Sequence, residues 1–177
     1  MPNDKLGQDA LYEEAINAFG GALERLARSY EADAEKRRDL LQEIHIALWR
    51  SFEGFDGRCS LRTWAYRVAH NTAASHVIRQ QRARSQTLVG LEQLENVPDV
   101  REGDQAADRR NALERLWELV QSLQPLDRQV ILSYLEGLDA GSIGEITGIS
   151  PGNVATKIHR IKNLLARRFQ EGGRHDE

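Results

Sequence analysis

The sequence predicts an all-α protein made of two small helical domains joined by a flexible acidic linker, the second domain ending in a helix-turn-helix. Three observations carry this. Apolar residues recur at three-and-four spacing along most of the chain, which is the helical period. One stretch of about 24 residues, Ser85 to Asp108, loses that period and holds Pro98, Gly90 and Gly103. Near the C-terminus, Gly148-Ile149-Ser150-Pro151 places a turn glycine, a capping serine and a first-position proline between two apolar-striped segments.

In the first domain, residues 1–84, Asp9 is placed to cap a helix striped by Leu11, Ala15, Phe19, Ala22, Leu23, Leu26 and Tyr30. A second helix is expected from Asp33 to Phe52, with Leu41, Ile44, Leu48 and Phe52 inward and Leu40 and Trp49 beside them. Its outward face carries Asp39, Gln42, Glu43 and Arg50. The turn Glu53 to Cys59 brackets Phe55, Asp56 and Arg58 with two glycines. Ser60 then caps a third helix reaching Arg84, with Leu61, Trp64, Ala65, Val68, Ala69 and Thr72 on one face.

That third helix is the functional signal of the first domain. Arg62, Arg67, Arg79, Arg82 and Arg84 are the only charged residues between Arg58 and Glu92, in a chain of net charge −3. Trp64, Tyr66, His70 and Asn71 are interleaved with them. Arginine holds phosphate, aromatic rings stack on unpaired bases and asparagine reads base edges, so the set suits a partly single-stranded nucleic acid. A solvated helix face is the simpler account of a charge run, but such a face does not call for the aromatics.

The linker, residues 85–108, sets Glu92, Glu95, Asp99, Glu102, Asp104 and Asp108 against Arg101. The second domain, 109–177, opens with a helix striped by Ala112, Leu113, Leu116, Trp117, Val120 and Leu123 and stopping before Pro125. Leu126 to Glu136 forms the next, with Val130, Ile131, Tyr134 and Leu135 inward. Asp139 caps a short helix to Thr147 holding Ile143 and Ile146, and Gly141 with Gly144 inside it predicts a frayed or 3₁₀-like segment. Ser150 and Pro151 begin the last helix, where Ile149 and Val154 form a staple and Val154, Ile158, Ile161 and Leu165 face inward. Ser150, Asn153, Thr156, Lys157, His159 and Arg160 are left at or near the outer face, with Asn163 and Arg167 further along. In a helix-turn-helix that face enters the major groove, where lysine and arginine read guanine or phosphate and asparagine and threonine reach a base edge or phosphate.

Composition excludes several classes. No apolar run approaches the length of a membrane span, and the N-terminus lacks a signal-peptide core, so a cytoplasmic location is expected. One cysteine, Cys59, precludes an internal disulfide. His45, His70, His76, His159 and His175 include no i,i+4 pair for a metal, there is no Walker-type loop, and no nucleophile–base set stands out; neither enzyme activity nor a cofactor or metal is expected.

With these residues in place, the chain from about Leu11 to Phe169 resembles the bacterial RNA polymerase sigma factors of the extracytoplasmic-function group. Asp39-Leu40-Leu41-Gln42-Glu43-Ile44, then Leu48-Trp49, is similar to the family helix that docks on the polymerase clamp, which implies polymerase binding by Asp39, Gln42 and Glu43. Phe55 to Cys59 followed by Leu61-Arg62-Thr63-Trp64-Ala65-Tyr66-Arg67-Val68-Ala69-His70-Asn71 resembles the block that melts and reads the minus-ten element. The resemblance implies a base pocket from the Phe55 to Ser60 loop with Asn71, a bracing role for Trp64, and backbone contacts by Arg58, Arg62, Arg67 and Arg79. Leu126-Asp127-Arg128-Gln129-Val130 and Gly148 to Arg168 resemble the domain that reads the minus-thirty-five element. Two departures stand out: Asp56-Gly57 replaces the usual Arg-Gly, and Ala155 replaces a residue that is often basic. The partners implied are core RNA polymerase, promoter DNA and an anti-sigma protein. The rival reading is a stand-alone dimeric helix-turn-helix regulator, which would protect a symmetric operator without polymerase.

Overall fold

A computed structural model of the chain describes residues 3–87 and 105–172, with side chains from 7–83 and 109–170. All regular structure among them is helical: α1 Asn3–Tyr30, α2 Ala34–Ser51, a 3₁₀ turn Phe52–Gly54, α3 Leu61–Thr87, α4 Gln105–Gln121, α5 Pro125–Leu135, α6 Ala140–Thr147 and α7 Pro151–Gly172. The expected linker falls largely on residues outside this description, 88–104. Helices enter it from both ends, α3 through Thr87 and α4 from Gln105.

Helices α1, α2 and α3 pack on one another around Leu23, Leu40, Ile44 and Leu48, all fully buried. Burying each such leucine or isoleucine is worth about 1.5–3 kcal/mol. The start of α2 follows from Asp33, whose carboxylate accepts the Glu35 and Lys36 amides, both at 3.0 Å. These bonds, that of Lys36 first, hold the Asp33 carboxyl below its ordinary range. Asp9, expected as a cap, lies inside α1, where residues 3–8 already continue the helix. Its carboxylate instead accepts the Trp49 indole N–H at 2.8 Å. Leu40 takes the central position expected of Leu41, and Trp49 stands at the surface.

In the second unit α7 packs against α4, α5 and α6, and α5 also meets α6. Val130, Ile131, Leu132 and Ser133 are buried, whereas Tyr134 and Leu135, expected inward, are exposed. Leu113 and Leu116 of the α4 stripe are also exposed. The sequence stripe marks apolar residues, but an eleven-residue helix contacted on several sides buries most of its middle turn regardless of type.

The corner before α7 forms as expected. Asp139 accepts the Gly141 and Ser142 amides at 2.8 and 3.0 Å, Gly148 adopts a left-handed φ of 78°, and the Ser150 hydroxyl accepts the Asn153 amide at 3.3 Å. The expected fraying of α6 is absent; it is a regular α-helix. The reason lies in Gly144, where a Cβ would come 2.7 Å from the Ile149 carbonyl oxygen. The glycine permits close backbone approach at the corner rather than loosening the helix.

The two units pack against each other through α1 with α4 and α3 with α5 and α6. Arg128, buried on α5, donates to the carbonyls of Gln121 and, at 3.0 Å, Leu123, groups that the end of α4 leaves unpaired. Its guanidinium also lies 4.8 Å from the centre of the Tyr30 ring across the boundary.

Candidate nucleic-acid interface

The minus-ten candidates gather where the 3₁₀ turn hands over to α3. Phe52 is buried, and Phe55 stacks edge-on between it and Trp64, with ring centres 6.3 and 5.4 Å away. The Trp64 indole N–H donates to the Ser51 hydroxyl at 2.9 Å. Trp64 is thus a brace, and Phe55 a half-buried cover whose remaining surface is accessible. Ser60 fixes the origin of α3 by accepting the Thr63 amide at 3.0 Å and donating to the Thr63 hydroxyl at 2.9 Å.

In the loop itself, Asp56 accepts the Arg58 amide at 3.1 Å and its guanidinium Nε at 2.5 Å. The backbone bond, then the side-chain bond, lowers the Asp56 pKa. The departure from the usual Arg-Gly therefore places a carboxylate directly on the loop's remaining arginine, although Arg58 is itself almost fully solvent-exposed.

Along α3 the buried face is rotated from the expected one, towards Tyr66, His70 and Ala73. Tyr66 and His70, grouped in the sequence with the base-stacking residues, lie in the core instead. The His70 Nδ1 accepts the Tyr30 hydroxyl proton at 3.1 Å when its own proton is on Nε2, which has no partner. Burial holds the His70 pKa down to about 3 and lifts that of Tyr30 to about 12, so both are neutral near pH 7. Asn71 is exposed, one turn beyond Arg67.

Arg62 and Arg67 are half-buried, and each points into the second unit: Arg62 donates to the Glu136 carbonyl and Arg67 to that of Glu145 at 2.8 Å. Arg79 pairs with Glu43 of α2, one of the polymerase-binding candidates. His76 lies between two carboxylates, 3.8 Å from Glu31 and 3.5 Å from Glu43. Asp39 and Gln42 remain exposed on the outer face of α2.

On α7, Val154 and Ile161 anchor the buried stripe while Ser150, Asn153, Thr156, His159 and Arg160 are exposed. The Thr156 hydroxyl donates to the Gly152 carbonyl at 3.0 Å, and His159 bonds Asn163 at 3.1 Å. Lys157 is mostly covered and pairs with Asp127 at 2.5 Å, with Arg160 at 3.4 Å from the same carboxylate. No pattern in the sequence marks Asp127 as the partner of Lys157 and Arg160, or Glu136 as that of Arg62, because separations of 30 to 74 residues leave no periodic trace.

An all-α pair of units, one with an aromatic-braced arginine helix and one with a cationic helix-turn-helix, defines a DNA-directed protein. The family Sigma-70 region 2 matches residues 15–83, and the family Sigma-70, region 4 matches 113–165. An ECF RNA polymerase sigma-E factor of Haemophilus influenzae is 30% identical over 174 residues, covering 94% of this chain and 89% of that protein. The ECF RNA polymerase sigma factor SigW of Bacillus subtilis is 23% identical over 94% of this chain and 93% of its own. Among solved structures, RpoE in complex with the anti-sigma factor NepR, from Bartonella quintana, superposes with a TM-score of 0.67 at 18% identity, over 90% of this chain and 96% of that one. CnrH in complex with the cytosolic domain of CnrY gives 0.65 at 18%, over 95% and 97%. The chain belongs to the extracytoplasmic-function sigma factors, the promoter-directing factors of RNA polymerase. That membership sets aside the stand-alone dimeric regulator as the less favoured account.

Proposed function

We propose that this sigma factor divides its work between residues 1–84 and 109–177, with 85–108 as the connecting strap. The first unit holds core polymerase through Asp39, Gln42 and Glu43, and captures the melted minus-ten strand with the Phe55 to Ser60 loop, Asn71, and the arginines 58, 62, 67 and 79. Trp64 acts by bracing Phe55. The second reads the minus-thirty-five duplex from the α7 face formed by Ser150, Asn153, Thr156, Lys157, His159 and Arg160. The observation that carries this reading is the aromatic bracket Phe52–Phe55–Trp64 at the start of the arginine helix, with Asn71 exposed on the same helix. Flipped bases need a stacking surface and an edge-reading group, and unstacking costs a few kcal/mol per step.

Strand opening by this route is binding, not bond chemistry, so the chain acts as an initiation factor without a catalytic step of its own. Its place of work is the cytoplasm, with core polymerase; no helix among the described residues is long and apolar enough to cross a membrane. The complexes formed by CnrH and RpoE support a protein antagonist for this chain as well. In the deciding experiment, Asn71→Ala and Trp64→Ala keep their affinity for core polymerase but lose permanganate reactivity of promoter thymines. Unchanged melting in both would remove the pocket assignment. Asp39→Arg with Glu43→Arg should weaken polymerase capture, and retained affinity would return those carboxylates to a plain solvated surface.

A further inference from the structure

Behind Glu43 of α2, His76 of α3 is buried against carboxylates from two other parts of the first unit. Glu31, just after α1, lies 3.8 Å from its Nε2, and Glu43 lies 3.5 Å from its Nδ1. Gln80, one turn further along α3, stands between the ring and Glu31. Its amide nitrogen is 2.8 Å from the Glu31 carboxylate and 2.7 Å from His76 Nε2. An amide nitrogen only donates, so Nε2 is the acceptor and the ring proton sits on Nδ1, the nitrogen that faces Glu43. The other oxygen of Glu31 accepts the Asp33 amide at 3.0 Å, while Arg37 of α2 donates to the Glu31 and Ala32 carbonyls at 3.5 and 3.1 Å. Arg79 takes the second oxygen of Glu43. In this arrangement the ring is neutral, and at 3.5 Å its hold on Glu43 is weak.

We propose that His76 is a positioning residue for polymerase docking: its neutral ring leaves Glu43 to the enzyme, whereas a second ring proton draws that carboxylate inward, so that acid weakens capture of core polymerase. Both halves follow from the contacts. A proton added at Nε2 would face the Gln80 amide, donor against donor, so the charged ring displaces Gln80 and takes Glu31 directly. At Nδ1 the contact with Glu43 becomes charge-assisted, and such bonds are shorter and stronger than neutral ones. Histidine is the side chain that changes charge between about pH 5 and 8. Docking sets polymerase cations on Glu43 in place of the ring. The free chain then binds the proton more tightly than the complex does, and affinity falls as pH falls. Two other histidines of the first unit are poor sources of this effect. Burial holds the His70 pKa down to about 3, and burial also lowers that of His45, which bonds the Tyr12 hydroxyl at 2.8 Å. The inference rests on the assignment of Glu43 to polymerase docking, and its test separates the two.

The full chain is labelled at its N-terminus with tetramethylrhodamine, and its affinity for core polymerase is read by fluorescence anisotropy at intervals from pH 8.0 to 6.0, at constant ionic strength. Over that range the wild type should lose roughly threefold to fivefold more affinity than His76→Gln, whose side chain is polar but cannot charge. Gln80→Met removes the donor that opposes the second proton, so its loss should begin at higher pH. Ring-nitrogen chemical shifts of His76 in the isotope-labelled free chain should show an Nδ1–H ring at pH 8.0 that takes up a proton towards pH 6.0, a measurement that needs no substitution at His76. Equal losses in the wild type and His76→Gln, an unshifted fall in Gln80→Met, or a ring that stays neutral down to pH 6.0 overturns the role of His76; weaker capture by Glu43→Gln at pH 8.0 would leave the docking assignment standing. Unchanged capture by Glu43→Gln at pH 8.0 overturns both.

Discussion

Replacing Gly144 by alanine sets two opposed effects at one atom. In a helix interior alanine is favoured over glycine by about 0.8–1 kcal/mol. The new Cβ, however, would lie 2.7 Å from the Ile149 carbonyl oxygen, against about 3.3 Å for the closest comfortable carbon–oxygen contact. Roughly 0.6 Å of retreat is needed, and the obstacle is backbone. The corner has little room to give it: the Gly148 amide bonds the Gly144 carbonyl at 2.8 Å, the Thr147 hydroxyl bonds Ile143 at 2.6 Å, and Ser150 starts the next helix. Overpacking of this kind costs about 1–3 kcal/mol, so Gly144→Ala should lose a net of about 0–2 kcal/mol instead of gaining stability. Gly152→Ala is the internal control, because nothing lies within 4 Å of its Cβ position in α7. It should gain about 0.5–1 kcal/mol. Urea titration followed by far-ultraviolet circular dichroism compares the two. If Gly144→Ala is as stable as Gly152→Ala, the close approach does not exist, and α6 tolerates its glycines for another reason.

The buried His70 makes stability depend on pH. Its native pKa of about 3 lies below the unfolded value near 6.5, so between those limits the unfolded chain binds the extra proton and stability falls as pH falls, by about 2 kcal/mol at pH 5. Urea midpoints at pH 7.5 and 5 should show this loss in the wild type and a reduced one in His70→Gln; equal losses would mean that His70 is hydrated. Asp127→Ala removes the carboxylate facing Lys157 and Arg160 and should tighten binding to a nonspecific duplex by roughly 0.5–1 kcal/mol at low salt, measured by fluorescence anisotropy. Unaltered affinity would show that the pair does not hold these cations from DNA. Ser60→Ala should cost about 1 kcal/mol through loss of the α3 cap, and its thermal midpoint checks this; an unshifted midpoint would show that the Ser60 hydroxyl does not stabilise the start of α3.

Local chemistry was legible in the sequence, and contacts across long separations were not. Asp33, Ser60, Asp139, Ser150 and Pro151 mark helix starts because a cap acts within three residues of itself. Asp9 misleads because the same carboxylate serves equally well as a partner for Trp49, 40 residues away. The face of α3 was misjudged for a related reason: its buried side includes Thr63, Tyr66, His70 and His76, while Ile78 is exposed. A helix that puts polar groups inward and isoleucine outward has little apolar contrast for periodicity to detect. Arg128 is the extreme case, a cation buried on carbonyls and a tyrosine ring that a charge pattern assigns to the surface.

The same limit bears on the functional residues. A guanidinium recognises oxygen acceptors arranged around negative charge, whether these belong to phosphate, carboxylate or the end of a helix. Sequence therefore identifies Arg62, Arg67 and Arg79 as groups seeking such a partner but not which partner they have. In the free chain each of the three donates to a group of the protein, Arg62 and Arg67 to the carbonyls of Glu136 and Glu145 and Arg79 to the Glu43 carboxylate. Any DNA strand that takes them must exceed those bonds and not merely the hydration of an exposed arginine, so affinity for DNA depends on whatever else binds the protein. Arg79 makes the point most directly. Its partner Glu43 is a carboxylate assigned to polymerase docking, and a polymerase cation drawn to Glu43 would free Arg79 for the promoter at the same moment. Binding of the enzyme and of the strand would then reinforce each other through a single ion pair, without any change in fold.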